Sequence, residues 1–517
     1  MADRVFALRR ETLIGEAAAA FLLVAVIGTI AAVAIRAGGL GGLGPWDWRA
    51  VWFTIWQAAL SATLSAALAV PVARALARRR FVGRGPLVTL LGAPFILPVI
   101  VAIMGLVTVF GRSGIANAAL EAAGLPRVSI YGWQGVVLAH VFFNLPLSVR
   151  LILQGWQAIP AERVRLAVSL DFSPRDIGRH LERPMLREVI PGVWLAVFLV
   201  CLTSFAIALA LGGGPRATTV ELAIYQAFRF DFDMGRAATL GLIQVGLCLV
   251  ALGLSSRVAV PAAFGAGLDR SGDLPAPGGW RRLADGAAII AASAFLIGPM
   301  AAVISAGAPR IPALPDAVWL AAWRSVTMAL ASAGLTLALT VPLALAVAQG
   351  RRWVEFAGMV PIVASPLVLG TGLYLMLRPF VAPDALALPV TAAINAIMAM
   401  PFALRALIPA ARALRADYGR LADSLGMSGL ARLRLLSLPR LARPMGFAGG
   451  LAAALAMGDL GVITLFASPD RATLPFMLYS LMNSYRLADA AACAVVLMAI
   501  SFALFWLFDK GGRHVAA

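Results

Sequence analysis

The sequence predicts an all-α polytopic membrane protein with about twelve transmembrane helices, arranged as two homologous six-helix halves. Its 517 residues are 61% hydrophobic with a mean hydropathy of +0.88, and only 13% are charged, about half the share usual in soluble domains. The apolar residues form runs about twenty long, which span a bilayer as helices, whereas open strands leave backbone groups unsatisfied in lipid. An internal repeat at a spacing of 255 residues, as from Arg165 to Arg420, divides the chain in two.

The predicted spans follow these apolar runs along the chain. They lie near 14–35, 51–76, 86–110, 131–154, 191–212, 236–256, 285–306, 318–348, 356–377, 389–410, 446–467 and 488–508. An even number places both termini on one side, and the arginines of the first ten residues with Lys510 and Arg513 make that side the cytoplasm. About 31 of the basic residues fall on it by alternation. Topology therefore accounts for most of the net charge of +18, and nucleic-acid binding is not indicated.

The halves are predicted as residues 1–256 and 285–517, joined by a Pro/Gly-rich cytoplasmic linker at 257–284. At the 255-residue offset the matches include Pro146 with Pro401, Arg150 with Arg405, Ser169-Leu170 with Ser424-Leu425, and Arg216-Ala217-Thr218 with Arg471-Ala472-Thr473. Because the offset skips six spans, the two copies share one orientation. A parallel duplication of this kind implies a pseudo-twofold axis along the membrane normal.

Two arginine-rich segments recur between the fourth and fifth spans of the halves, at 164–184 and 419–439. Each shows a short helix, a break, a second basic helix and then Pro184 or Pro439, and glycine and proline end helices for steric reasons. The pattern predicts a compact helix–turn–helix on the cytoplasmic face. Basic amphipathic helices also lie on lipid alone, but duplication about a twofold axis favours two equivalent partners that dock from the cytoplasm.

The pattern Ala-x-Ser-Leu-Gly, followed by twelve residues and a proline, resembles the coupling motif of ABC-importer permeases. Two such motifs in one chain resemble the fused permeases of ferric-iron and thiamine importers. The stretch 204–243 and the segments GDLGVITLF and RATLPFMLY are closest to the thiamine branch. The resemblance implies the type I importer fold and import of thiamine or its phosphates by alternating access. It implies coupling roles for Ala167, Ser169, Leu170, Asp171 and Pro184, and for Ala422, Ser424, Leu425, Gly426 and Pro439.

Both motifs depart from the family pattern. The motif usually opens with Glu-Ala-Ala, while both copies here have Arg-Leu-Ala, and Asp171 stands where the second copy has Gly426. Aspartate adopts left-handed backbone more readily than most residues other than glycine. We therefore expect the turn to form in the first half as well.

No nucleotide-binding motif is present in the sequence. A P-loop needs G-x-x-x-x-G-K-[ST], and the single lysine, Lys510, follows Phe508-Asp509. The GLGGLG stretch at 39–44 lacks the strand before it that a dinucleotide loop requires. We expect no catalytic residue, metal or cofactor in this chain, with ATP and Mg²⁺ on two separate cytoplasmic ATPase subunits. The resemblance implies a further partner, a periplasmic or extracellular substrate-binding protein, and location in the bacterial inner membrane.

Polar groups inside membrane spans are costly in lipid and tend to face the bundle interior. The candidates for the translocation path are Asn144, Ser204 and Asp459, with His140, Gln244 and Asn395 also inside spans. Ser204 and Asp459 are equivalent by the offset, and an anionic Asp459 would attract the positive charge of thiamine. Packing or helix capping beside Gly458 and Gly461 is the alternative role for Asp459.

The outer segment 213–235 has the length and turn residues that suit docking of a substrate-binding protein. Its candidate docking residues are Arg216, Thr218, Glu221 and Tyr225. A solvated loop is the alternative reading of this segment.

Two other functions stay open on the sequence. A ferric-iron permease would have the same coupling segments and a different binding protein. An ion-coupled secondary transporter is also commonly duplicated, but it needs broken helices and several mid-membrane carboxylates, and Asp459 is the one carboxylate found. The two matched coupling segments favour the ABC importer.

Overall fold

The computed structural model describes residues 2–37, 42–91, 96–255, 278–362, 364–381, 383–466 and 471–516. Over these residues the secondary structure is helical, and no strand occurs among them. Eleven of the described helices are long and apolar enough to cross a membrane, and a twelfth crossing results if the bent pair Arg352–Ile362 and Pro366–Leu377 is one span. This confirms the predicted all-α polytopic fold.

The helices before the linker are α1 (Ala2–Arg36), α2 (Pro45–Arg78), α3 (Arg84–Leu90), α4 (Val99–Phe110), α5 (Ile115–Ala122), α6 (Trp133–Gln157), α7 (Ala161–Ser169), α8 (Pro174–Ile177), α9 (Arg183–Leu202), α10 (Ala206–Leu211), α11 (Val220–Arg229) and α12 (Met234–Ser255). Those after it are α13 (Trp280–Gly307), α14 (Asp316–Ala348), α15 (Arg352–Met359), α16 (Pro366–Leu377), α17 (Pro383–Ser424), α18 (Gly429–Arg432), α19 (Leu438–Met457), α20 (Gly461–Phe466), α21 (Leu474–Asn483) and α22 (Leu487–Ala516). The linker lies outside the described residues except for 278–284, so the division into halves at 257–284 stays a prediction.

Two predicted spans begin or bend differently in the structure. The sequence places the third at 86–110, but the crossing helix begins at Val99, directly after Pro98, and the candidate span extends to Ala122. The span predicted at 356–377 is bent by 94°, and its second piece begins at Pro366, where Ser365 accepts a hydrogen bond from Val368 N at 3.1 Å. Proline favours helix starts because its φ is preset and it lacks an N–H that would go unpaired there.

The first helix of each predicted half packs against the other half. Helix α1 lies against α14 and α16, and α13 lies against α2 and α4. Close approaches occur at Gly372 of α16, which faces the carbonyl of Thr29, and at Gly105 of α4, which faces the carbonyl of Pro299. A Cβ at these glycines would lie 2.3 Å and 2.8 Å from the two carbonyl oxygens. Small residues allow helix backbones in membranes to approach this closely. The packing of each first helix against the other predicted half therefore depends on these glycines.

We expect Gly372→Ala and Gly105→Ala each to lower the free energy of unfolding by about 1–3 kcal/mol, because the added methyl group overpacks the contact. Gly334→Ala is the matched control, since nothing lies within 4 Å of a Cβ at Gly334 in α14. Alanine there should be neutral or stabilise by up to about 1 kcal/mol. Chemical unfolding of the purified chain in mixed micelles measures all three, and equal effects at Gly372 and Gly334 would contradict the role of close approach.

Candidate coupling segments and translocation path

In each coupling segment, 164–184 and 419–439, the first helix ends in the same left-handed turn. In the first, Phe172 N donates a hydrogen bond to Ala167 O at 3.0 Å, and in the second, Met427 N donates to Ala422 O at 2.9 Å. The residue before each donor has positive φ, +52° at Asp171 and +66° at Gly426. This 6→1 hydrogen bond after a left-handed residue is a common helix C-terminus. The turn therefore forms with aspartate as well as with glycine, as expected.

The residues around each turn divide into a buried and an exposed set. Ala167 and Ala422 are buried, whereas Leu170 and Leu425 are 59% and 67% exposed. The hydroxyls of Ser169 and Ser424 donate to the carbonyls of Leu166 and Leu421 at 2.9 Å and 2.8 Å. Those two leucines are exposed too, so each segment presents a pair of apolar side chains that no described part of the chain covers.

The basic helix that follows each turn does not end at the proline, contrary to the sequence prediction. A five-residue π-helical turn, at Gly178–Glu182 and again at Leu433–Ser437, continues it into the fifth span of each half. The first residue after each turn donates its N–H five residues back, from Arg183 to Gly178 O and from Leu438 to Leu433 O. Pro184 and Pro439 follow directly, where the inserted residue accommodates a ring that an unbroken α-helix excludes. The basic helix that follows each left-handed turn is thus continuous with a membrane helix.

The copies differ on the side before the turn. In the first copy α7 is a separate helix that starts after Pro160. In the second, α17 runs for 42 residues from the fourth span to the turn, because Arg415 stands where the first copy has Pro160. The compact helix–turn–helix predicted for both copies is therefore wrong for the second, whose first helix is the end of a membrane helix.

The fifth span of each half is broken at equivalent positions. Helix α9 ends at Leu202 and α10 begins at Ala206, and α19 ends at Met457 and α20 begins at Gly461. Ser204 and Asp459 lie in these breaks. A Cβ at Gly461 would lie 3.6 Å from the Phe205 ring, so the breaks of the two halves lie side by side.

Two buried amides satisfy carbonyls that the first break leaves free. Gln57 of α2 donates to Cys201 O at 3.0 Å, and Gln244 of α12 donates to Leu202 O at 2.9 Å. Asn144 of α6 is buried beside them, donating to His140 O at 2.8 Å and lying 3.4 Å from Cys201 Sγ. The predicted path residue Asn144 thus lies next to the break that contains Ser204.

Asp459 uses one carboxylate oxygen as a helix cap. Its Oδ1 accepts hydrogen bonds from the backbone N–H groups of Gly461 at 3.1 Å and Val462 at 3.4 Å. Its Oδ2 is buried without a hydrogen-bond partner among the described residues, and Asn395 of α17 lies beside the carboxylate. The carboxylate therefore caps α20. Asn395 stands at the position equivalent to His140 of the first half.

The docking residues predicted in the segment 213–235 are mostly inside the bundle. Arg216 is exposed, but Thr218, Glu221 and Tyr225 are buried, so these three offer no surface to another protein in this conformation. The prediction is wrong for them because residues 220–229 form helix α11, which folds back against α2, α12 and α16. Thr54 accepts a hydrogen bond from its first N–H, Val220 N, at 2.9 Å. Ser325 does the same for Leu474 N of α21 at 2.7 Å.

Glu221 is the residue whose place the sequence reasoning missed. It is 0% exposed on α11, next to Ser365 at the start of α16. One helical turn further on, Tyr225 packs edge-on against Phe205, with ring centroids 5.4 Å apart. The signal in the sequence was the apolar run VELAIYQAF after Thr219, a capping residue whose Oγ1 accepts from Leu222 N at 3.3 Å. Asp459 thus lies beside Gly461, which faces the Phe205 ring, and Glu221 lies one helical turn before Tyr225, which packs on the same ring.

The chain matches no protein-family model, but it is similar over most of its length to curated transport proteins. The thiamine transport system permease protein ThiP of Salmonella typhimurium is 40% identical over 464 residues, 85% of each chain. The protein of the same name in Brucella abortus is 38% identical, over 96% of this chain and 94% of that one. Its namesake in Haemophilus influenzae is 33% identical, over 84% and 82%.

Substitutions at Gly426 test the left-handed turn. We expect Gly426→Val to destabilise the chain by about 1–2 kcal/mol, because Cβ meets the following carbonyl oxygen in left-handed backbone. Gly426→Asp should cost less than half as much, since Asp171 already occupies the equivalent position at φ +52°. Unfolding in mixed micelles compares the two, and an aspartate variant as unstable as the valine variant would contradict equivalence of the turns.

Proposed function

Because the chain belongs to the family of thiamine transport system permeases, we propose that it carries thiamine or thiamine phosphates across the bacterial inner membrane by alternating access. The observation that carries this proposal is the similarity over both predicted halves, at up to 40% identity. Membership confirms the resemblance to the thiamine branch and the prediction of a transport subunit, not an enzyme. Such a permease works with an ATPase and a substrate-binding protein.

The proposed ATPase contacts are the two left-handed turns with their exposed leucines. Two ATPase subunits would dock on them from the cytoplasm and bind the ATP and Mg²⁺ that drive transport. Both coupling turns are continuous with fifth spans through the π-helical turns, so a displacement of either turn is passed on to the break in that span. With the coupling turns on the cytoplasmic side, both chain termini would also lie in the cytoplasm.

The proposed path runs between the two broken fifth spans. Thiamine is an aromatic cation, and the breaks bring Asp459 beside Gly461, which lies against the Phe205 ring, and Phe205 packs on Tyr225. Carboxylates neutralise such a cation and aromatic faces attract it. The substrate-binding protein would release substrate on the opposite face from the coupling turns, where Arg216 is the exposed member of the predicted docking set.

The function is tested by ATPase activity of the chain reconstituted in liposomes with its cognate ATPase and binding protein. Thiamine is expected to stimulate hydrolysis, and ferric ion is not. Leu425→Asp and Leu170→Asp should each reduce the stimulation, because a charge replaces an apolar contact at the docking surface. Val82→Asp is the control, an exposed apolar residue outside the coupling segments.

The outcomes separate the alternatives. Stimulation by iron alone would assign the chain to the ferric branch. A failure to form any stable complex with an ATPase would exclude the ABC mechanism and favour a secondary transporter. Unequal effects at Leu170 and Leu425 would show that the two coupling turns contribute unequally.

The charge of Asp459 can be tested separately from its capping role. Asp459→Asn retains an oxygen that can cap Gly461 and Val462 but removes the negative charge. We expect thiamine uptake to fall about tenfold or more, since a charge pair in a partly desolvated site contributes more than about 1.4 kcal/mol, while stability stays unchanged. Asp459→Ala should also lose about 1 kcal/mol of stability as the cap is removed. Full uptake by the asparagine variant would restrict Asp459 to capping.

A further inference from the structure

A cavity of about 520 Å³ lies between α2, the start of α9 and the start of α13. Five arginines line it: Arg74, Arg175, Arg179, Arg183 and Arg281. Glu182 is the one acidic side chain in its lining, and Trp280, which is 73% exposed, contributes an aromatic wall. The cavity is thus strongly positive, and part of its lining belongs to the first coupling segment, 164–184.

The charge of Glu182 is already committed inside the protein. Its side chain is buried, with Oε1 2.5 Å from Arg78 Nη2 and Oε2 3.0 Å from Arg74 Nη2. Among the described residues, Arg175, Arg183 and Arg281 have no carboxylate within ion-pair distance. These three guanidinium groups are therefore available to an anion that enters the cavity.

The second half shows that the fold does not require these charges. Its π-helical turn has the equivalent bounds, Leu433–Ser437. At the 255-residue offset, Leu430, Ser437 and Leu438 occupy the positions of Arg175, Glu182 and Arg183. Leu345 occupies the position of Arg74 when α2 and α14 are aligned through Thr54 and Ser325, which make the same hydrogen bond. Arg434 keeps the position of Arg179. Since the same backbone forms there without the other arginines, turn geometry does not explain them in the first half.

We propose that this cavity binds the phosphate-bearing headgroup of an anionic lipid, with Arg183 and Arg281 as its main cations. Basic cavities between membrane helices recognise such headgroups, and the arginine fork matches phosphate oxygens in pairs. Trp280 is suited to the membrane–water interface. Val70 and Leu186 add an apolar lining that fits the start of an acyl chain, which a free phosphate ion lacks. The lipid would join α9 to α13, one helix from each predicted half.

Native mass spectrometry of the purified full-length chain tests the proposal, with phosphatidylglycerol, phosphatidylethanolamine and inorganic phosphate titrated separately. We expect phosphatidylglycerol to bind at least about tenfold more tightly than phosphatidylethanolamine. The variant Arg183→Gln/Arg281→Gln should lose that preference. Arg187→Gln/Arg282→Gln is the matched control, because it removes two exposed arginines from the same helices outside the cavity lining and should retain the preference.

Three results would overturn the proposal: no lipid preference in the unaltered chain, equal losses in the two double variants, or arginine-dependent binding of inorganic phosphate without lipid binding. Equal losses would indicate diffuse surface charge, and phosphate binding alone would indicate a soluble anion. Arg281→Gln alone, expected to lose part of the preference, replaces the cavity double variant if that variant fails to fold. The readout is lipid binding without transport, so it is independent of the proposed substrate.

Discussion

The structure depends on one constraint: a backbone polar group inside a bilayer must find its partner within the protein. Breaks in the fifth spans are possible because neighbouring helices supply those partners. Gln57 and Gln244 donate to the carbonyls at the end of α9, and Asp459 accepts from the N–H groups at the start of α20. These polar side chains lie next to the breaks whose backbone groups they satisfy. The residues that stabilise the irregular backbone and those that could contact a polar substrate are therefore partly the same.

The packing of each predicted half's first helix against the other half places a second constraint on the bundle. At Gly105 and Gly372, a helix of one predicted half meets a backbone carbonyl of the other half's first helix. Contacts between backbones with no side chain in between fix the spacing of the helices closely. The coupling turns, in contrast, connect to the fifth spans, whose breaks lie side by side. A motion that opens a path is accommodated more easily at these breaks than at the two glycine contacts.

Much of the fold can be predicted from the sequence because each helix that crosses the lipid needs a long apolar run. Long apolar runs predict spans, and the 255-residue offset anticipated equivalent turns at Asp171 and Gly426. The offset also explains why the π-helical turns have matching bounds, although no local pattern predicted them. The interior of the bundle is harder to predict from the sequence. The breaks at Ser204 and Asp459 fall inside apolar runs, so hydropathy predicts unbroken helices there. The sequence predicts docking residues on the outer segment that contains α11 because the polar ends of this segment, not its buried apolar middle, dominate the pattern.

The duplication provides a physical criterion for separating structural from functional residues. Where both halves show the same interaction with different residues, as with Thr54 and Ser325 at the starts of α11 and α21, the backbone requires it. Where one half has a charge that the other lacks on the same backbone, the fold does not require it. Asp459 against Ser204, and Arg183 against Leu438, are of this second kind. Glu221, the second residue of α11, also belongs here, since the second residue of the equivalent helix α21 is Pro475. Because Ser204 stands in the equivalent break without a charge, the backbone does not require the charge of Asp459, and under the proposed function a cationic substrate would neutralise it.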